Sequence, residues 1–433
     1  MEHASVGPNS TIESTILGPD THVSCGEIHY SLIGPNTNSH HQSLILSALW
    51  PLGRGNVAYG SNIGSNHTAR LPDQECTIGE GIFWGLGCNI SFPVDLTSSP
   101  YSVIAAGVKM APQRICMPFS VVLNKSDGDG RNEIVPAWVI QSSPYTILRS
   151  EIKFQTRRKA KRHGFYCNWK ILRPGIINLC VNARKQLMDV SCSNYNQNED
   201  EQLTESNNRK IYTEVELPEL GKNFMTERGR NIGIQAYTHI IQLYALRALL
   251  EQVKAIHKQC TSTTEGSDFL VEKIEDKLAN LFNENRNNDQ NKSDSTNNSG
   301  IPWPVVPWED PSNYDSLALW KHQRSILLIE FPFVFESKKA LSKSFTTSVI
   351  STLFERLIRL EQDNANRVHK SKSRDDLRGI SIIPGYAENH VMAENDAVVK
   401  SARKQVDMVT KTVQFLTKEF KLNLFDDSLL SHL

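Results

Sequence analysis

The residues with the most chemical potential in this sequence are three histidines, His40, His41 and His67. An imidazole titrates near neutral pH, so a positioned histidine can take the proton of a hydroxyl or amine acceptor while backbone amides hold a developing oxyanion. That is the chemistry of acyl transfer from a thioester. His67 stands beside Asn62 and Asn66, whose amides can bond sugar hydroxyls or phosphate, and Asp73 or Glu75 can orient an imidazole. His41 and His67 are the first choices for the base, with His40 behind them. The same residue types also have a role without chemistry: Asn, Ser and His in tight corners cap backbone groups, and adjacent histidines in a strand point to opposite faces. Zinc held by these imidazoles and Asp73 is a further alternative, but the spacing lacks close ligand pairs, so no metal is expected.

A basic run, Arg157, Arg158, Lys159, Lys161 and Arg162, offers planar guanidinium forks that suit the phosphates of a nucleotide ligand. The competing reading is a solvated helix face. Lys+Arg and Asp+Glu are equal at 47 each, so global charge gives no reason to expect nucleic acid or a membrane surface. The glycine-rich runs Gly53-Arg-Gly-Asn and Gly79-Glu-Gly-Ile-Phe-Trp-Gly lack a following Lys-Ser/Thr and a strand-to-helix setting, so they read as turns, not phosphate loops. The eight cysteines include no C-x-x-C pair and read as free buried thiols. Without a signal-like start or an apolar run long enough to span a bilayer, the chain reads as cytoplasmic.

These groups must be positioned by a repeat. Val6-Gly-Pro-Asn-Ser, Leu17-Gly-Pro-Asp-Thr and Ile33-Gly-Pro-Asn-Thr are near-copies, followed by Ile63-Gly-Ser-Asn-His and Ile78-Gly-Glu-Gly. One aliphatic residue per repeat points inward to stack on the coil below, and the glycine and turn-formers after it bend the chain at a corner. A helix does not tolerate this density of Gly and Pro, and hairpins predict a different alternation. Residues 1–145 are therefore expected to form a left-handed parallel β-helix. The thirty residues from Ile33 to Ile63 point to a loop leaving the coil around His40 to Trp50.

Beyond residue 145 the pattern becomes helical. A basic linker and a helix starting at Pro174 fill 146–193, an Asn/Glu/Ser-rich insertion falls at 194–210, and a helical domain covers 211–433 with a polar loop at about 283–300. Apolar spacing predicts its helices at Gly233 to Lys258, Phe269 to Phe282, Leu317 to Ile329, Thr347 to Leu360 and Ala393 to Phe420, with a proline-rich stretch at Trp303 to Pro311.

The stretch from Leu49 to Thr68, the His40-His41-Gln-Ser element and the run from Pro72-Asp-Gln-Glu to Gly79-Glu-Gly-Ile-Phe-Trp-Gly together resemble an uncharacterised hexapeptide-repeat family best known from Bacteroides-type bacteria. Its members carry a left-handed β-helix and a long helical C-terminal region, usually with more coils ahead of this point, so a shortened or truncated relative is expected. The wider superfamily includes acyltransferases and domains attached to sugar-nucleotide transferases. The resemblance thus implies a homotrimer, a sugar or nucleotide-sugar substrate, and acyl-CoA or a nucleotide-sugar as co-substrate with no bound cofactor. In that reading Asn62, Asn66, Asp73, Arg157 and Arg158 contact substrate. The rival from another class is a non-catalytic trimeric scaffold or ligand-binding protein.

Overall fold

The computed structural model describes residues 2–65, 75–125, 128–157, 159–160, 170–190, 210–261, 316–332 and 343–420. The expected insertion at 194–209, the helix near Phe269 to Phe282, the loop at 283–300 and the proline-rich stretch lie outside the described residues. The architecture matches the α+β expectation of a left-handed β-helix followed by helices: a parallel solenoid of about six turns, then a helical region.

Each coil contributes one short strand to each of three parallel sheets. The interior is a set of aliphatic columns. On one face Ile28, Ile45, Ile63 and Ile90 stack in register; on another Leu17 pairs with Ile33 and Ile33 with Trp50. Nearly all of these side chains are fully buried, because a strand of two or three residues can point only its central side chain inward. The sixteen residues from Leu17 to Ile33 are thus a complete turn. No loop leaves the coil at His40 to Trp50: Asn38–His40, Leu44–Leu46 and Ala48–Trp50 are the three strands of one turn. The expectation failed because Ile33 and Ile63 belong to different faces, so their separation does not measure a period. The long connection comes later, between Asn62–Ser65 and Cys76–Thr77.

The motif residues have separable duties. Gly34 lies where two corners touch, and a Cβ there would sit 2.4 Å from the Pro51 carbonyl oxygen. Backbone cannot yield at that distance, so Gly34→Ala is expected to lower the urea midpoint by the equivalent of about 1–3 kcal/mol; an unchanged midpoint would show that the corners slide apart freely. At the same corner the chain turns through positive φ, at Asp20, Asn36, Arg54, Gly81, Tyr101 and Phe119 in successive coils. Asn and Asp tolerate this region, whereas for Arg, Tyr and Phe it is strained and must be held by surrounding contacts. A ladder holds it: the Asn36 N–H donates to Pro19 O, that of Arg54 to Pro35 O, and that of Phe119 to Pro100 O. The next small hydroxyl ties coils together, as when Thr21 and Thr37 Oγ1 both donate to Gly34 O at 2.8 and 3.0 Å.

The solenoid ends where Asn132–Val135 pairs antiparallel with Val121–Leu123; Asn223–Thr226 and Ile211–Tyr212 extend that sheet to ten strands. Short helices α1 (Trp138–Ser142), α2 (Pro144–Arg157) and α3 (Pro174–Asp189) follow. The described residues up to Thr238 form one compact unit and those from His239 a second, with α4 (Glu227–Thr261) contributing to both.

The second unit contains α5 (Ser316–Glu330), α6 (Lys343–Ile382), α7 (Tyr386–Asn389) and α8 (Ala397–Glu419). Helix α6 outruns its expected end at Leu360 because Ala365 and Val368 continue the buried stripe. Helix α8 packs on it through Val398, Val399, Ala402, Val409, Val413 and Leu416. It starts at Asp396, whose side chain accepts from the Val398 and Val399 N–H groups. Among the described residues no helix is long and apolar enough to cross a membrane.

Candidate functional site

In the strands His22–Ser24, Asn38–His40 and Asn56–Val57 the central or inner residues Val23, Ser39 and Val57 are buried. Alternation therefore sends His22, Asn38, His40 and Asn56 to the outer surface, with His22 level with Asn38, and Asn38 with Asn56. His41 is no longer in the strand. It and Gln42 both take positive φ, so the backbone wraps the corner and the two histidines do not diverge: their rings meet edge to face with centroids 4.5 Å apart.

His40 is half-buried and its ring has two distinct sides. Asn56 is its side-chain hydrogen-bonding neighbour, while Nδ1 is buried without a partner among the described residues. Burial, followed by the nearby His41 and His22 rings, holds its pKa below the ordinary value of 6.5, and Lys153 of α2 adds to this. The imidazole is therefore neutral at pH 7, with Nδ1 buried and unbonded among the described residues. His22 is differently engaged, with Nδ1 2.7 Å from Ser5 Oγ.

The other expected site residues are placed unevenly. Asn62 lies on the adjoining face across the corner from His41, with Oδ1 buried and unpartnered among the described residues. Arg157 ends α2. The backbone N–H groups of Lys159 and Ala160 donate to the Asp20 carboxylate at 3.2–3.3 Å, which fixes this end of the basic run to a corner of the solenoid. His67, Asn66, Asp73 and Arg158 lie outside the described residues. His29 is among the histidines that went unnoticed in the sequence: it has Nδ1 3.3 Å from Glu13 and Nε2 3.9 Å from Glu27. Glu27 was a visible signal, two residues away in the same strand; Glu13 comes from the previous coil and was not. A carboxylate thus faces each nitrogen of His29, so both sides of its ring are already engaged.

The two glycine-rich runs are corners, as expected, but they carry buried charge. Arg54 Nη1 donates to Glu80 Oε1 at 3.0 Å, Tyr101 Oη donates to the same oxygen at 2.7 Å, and Arg173 at the start of α3 grips Glu80 with both terminal nitrogens. Burial alone pushes the Glu80 carboxyl up, but the charges of Arg173 and Arg54 and their hydrogen bonds outweigh it and hold it below the usual range. Arg54 also lies over the Phe154 ring of α2. The cluster clamps α2 and α3 to the positive-φ corner.

No protein-family model matches the chain. It is similar to an uncharacterised protein of Treponema pallidum (strain Nichols), at 34% identity over 161 residues. That stretch covers 37% of this chain and 22% of the relative, so the chain spans about a fifth of that protein's length.

The buried cysteines Cys76, Cys88 and Cys180 offer no competing nucleophile. Burial pushes the Cys76 and Cys180 thiols far up and that of Cys88 to about 11, which keeps them protonated. Nor do the described residues contain a cluster of three or more His, Cys, Asp or Glu able to hold a metal ion.

Proposed function

We propose that the chain is a transferase of the hexapeptide-repeat type, moving an acyl group from a thioester such as acyl-CoA to a hydroxyl or amine of a sugar or nucleotide-sugar. His40 is the general base in this reading, His41 assists at the corner, and the chain acts as a homotrimer. The observation that carries it is the neutral, half-buried His40 ring whose Nδ1 is buried and without a partner among the described residues. In the reaction His40 takes the acceptor proton as the acceptor oxygen or nitrogen attacks the thioester carbonyl. The tetrahedral intermediate then expels the thiolate, which recovers the proton. In this reading Asn56 holds the ring and the side-chain amide of Asn62 bonds sugar hydroxyls.

A second reading is favoured by one feature. Asn56, and not a carboxylate, stands behind His40, and the basicity its hydrogen bond adds is outweighed by burial. This suits a scaffold or ligand-binding face.

Acyl-CoA hydrolysis and transfer, followed by thiol release across a panel of sugar and nucleotide-sugar acceptors, separates the two. The transferase reading expects His40→Ala to cost about 10²–10⁴ in kcat, His29→Gln to cost little, and the wild-type rate to persist to below pH 6.5 because the folded pKa is depressed. Full turnover by the His40 variant, or none by the wild type with any acceptor, leaves the scaffold.

A further inference from the structure

The second unit holds a group of cationic side chains with too few anions to match. Glu361 of α6 is fully buried and already saturated: Arg247 of α4 donates Nε and Nη2 to its two oxygens at 2.7 and 2.8 Å, and Gln405 Nε2 approaches at 3.4 Å. Among the described residues two further guanidiniums on α6 lack such a partner. Arg356 gives Nε and Nη2 to the neutral amide oxygen of Gln242 at 3.2 and 2.9 Å. Arg367 meets only the exposed Asp363, at 3.8 Å, and its Nη1 is buried without a partner among the described residues. Residues eleven apart return to the same side of a helix after three turns, so Arg356 and Arg367 share one stripe of α6. Opposite them, His239 stands one turn before Gln242 on α4. Its ring is 6% exposed, and its Nε2 has no partner among the described residues.

We propose that His239, Arg356 and Arg367 form an anion site for a phosphate or diphosphate group, separate from the solenoid face and independent of the reaction assigned to it. Guanidiniums stay charged in proteins, and burying Arg356 beside an amide in place of a carboxylate leaves its desolvation uncompensated. A phosphate supplies several acceptor oxygens that take N–H groups from both arginines and, in its tautomer with Nε2–H, from His239. The electrostatics agree. Burial lowers the pKa of both Arg356 and Arg367, and burial together with Arg367, Arg356 and Arg247 pushes His239 down to about 3, so the imidazole is neutral and adds no further positive charge. Among the described residues Asp363 is the carboxylate facing the two arginines, and it is largely solvent-exposed.

The test is titration of the full chain with inorganic phosphate and pyrophosphate, followed by calorimetry and by the histidine ring signals in NMR. Binding is expected with a shift of the His239 ring signals, and affinity is expected to fall at least tenfold in Arg367→Gln and in His239→Gln. Arg367 is partly exposed, so the first variant is expected to fold even if the second does not. Absence of binding by the folded wild type overturns the proposal, as does equal affinity in a folded Arg367→Gln chain. A sulfate control distinguishes a phosphate site from a general anion site: equal sulfate affinity overturns the phosphate assignment.

Discussion

Replacing Glu80 by alanine is expected to destabilise the N-terminal unit by about 3–5 kcal/mol, because it strands two buried guanidiniums that a single carboxylate now neutralises. The cost comes from leaving charge unpaired, not from the strength of the ion pairs. A chain carrying Arg54→Met, Glu80→Leu and Arg173→Met together is therefore expected to recover much of the loss, since apolar groups of similar volume carry no desolvation penalty. Urea unfolding of the three proteins checks this, and a triple variant less stable than Glu80→Ala would show that the cluster contributes net attraction. The same carboxylate links stability to pH. Its folded pKa is depressed, so its contribution is complete above the unfolded value near 4.5 and is lost as pH falls through the lower folded value. Glu227 acts in the same direction: the Arg230 hydrogen bond, helped by Tyr212, brings its pKa to about 2. Acid unfolding of the wild type is expected as pH drops from about 4.5 toward 2, and Glu80→Ala is expected to lose part of that slope.

The second large effect is at Trp50. Its ring is fully buried, occupies the space beside Gly55 that a Cβ would otherwise enter at 1.9 Å, and donates Nε1–H to Gly79 O at 2.8 Å. Trp50→Ala is expected to cost about 3–5 kcal/mol through the cavity it leaves, with the Gly79 carbonyl losing its partner in addition. Trp84 provides the control. It is equally buried, but its Nε1 has no hydrogen-bond partner among the described residues. Trp50→Phe is thus expected to lower the urea midpoint more than Trp84→Phe, and equal losses would mean that the indole hydrogen bond adds nothing.

Much of the fold was legible because it is local. Gly-Pro-Asn-Thr after an aliphatic residue is itself the chemical description of a solenoid corner: close approach at Gly34, positive φ at Asn36 and a hydroxyl at Thr37 that bonds back to Gly34 O within the corner. The helices α3, α4, α5 and α8 were visible for the same reason, since their buried stripes recur at helical spacing. The far end of α6 was harder to see, because beyond Leu360 its apolar residues are sparse and their burial is set by α8.

The sequence by itself determined the repeat, the corners and the presence of histidines near them, since each depends on residues within one turn of chain. Only the tertiary structure decided which of those residues meet. Stacking of coils brings Glu13 to His29 and Asn56 to His40. The same stacking makes Arg54, Glu80 and Tyr101 neighbours, although each sits in a different coil, and docking of α3 then adds Arg173. The physical reason is that a solenoid converts a separation of one coil in sequence into one strand spacing of about 4.8 Å in space. Side-chain chemistry on its surface is therefore written down the columns, where the order of the chain does not show it.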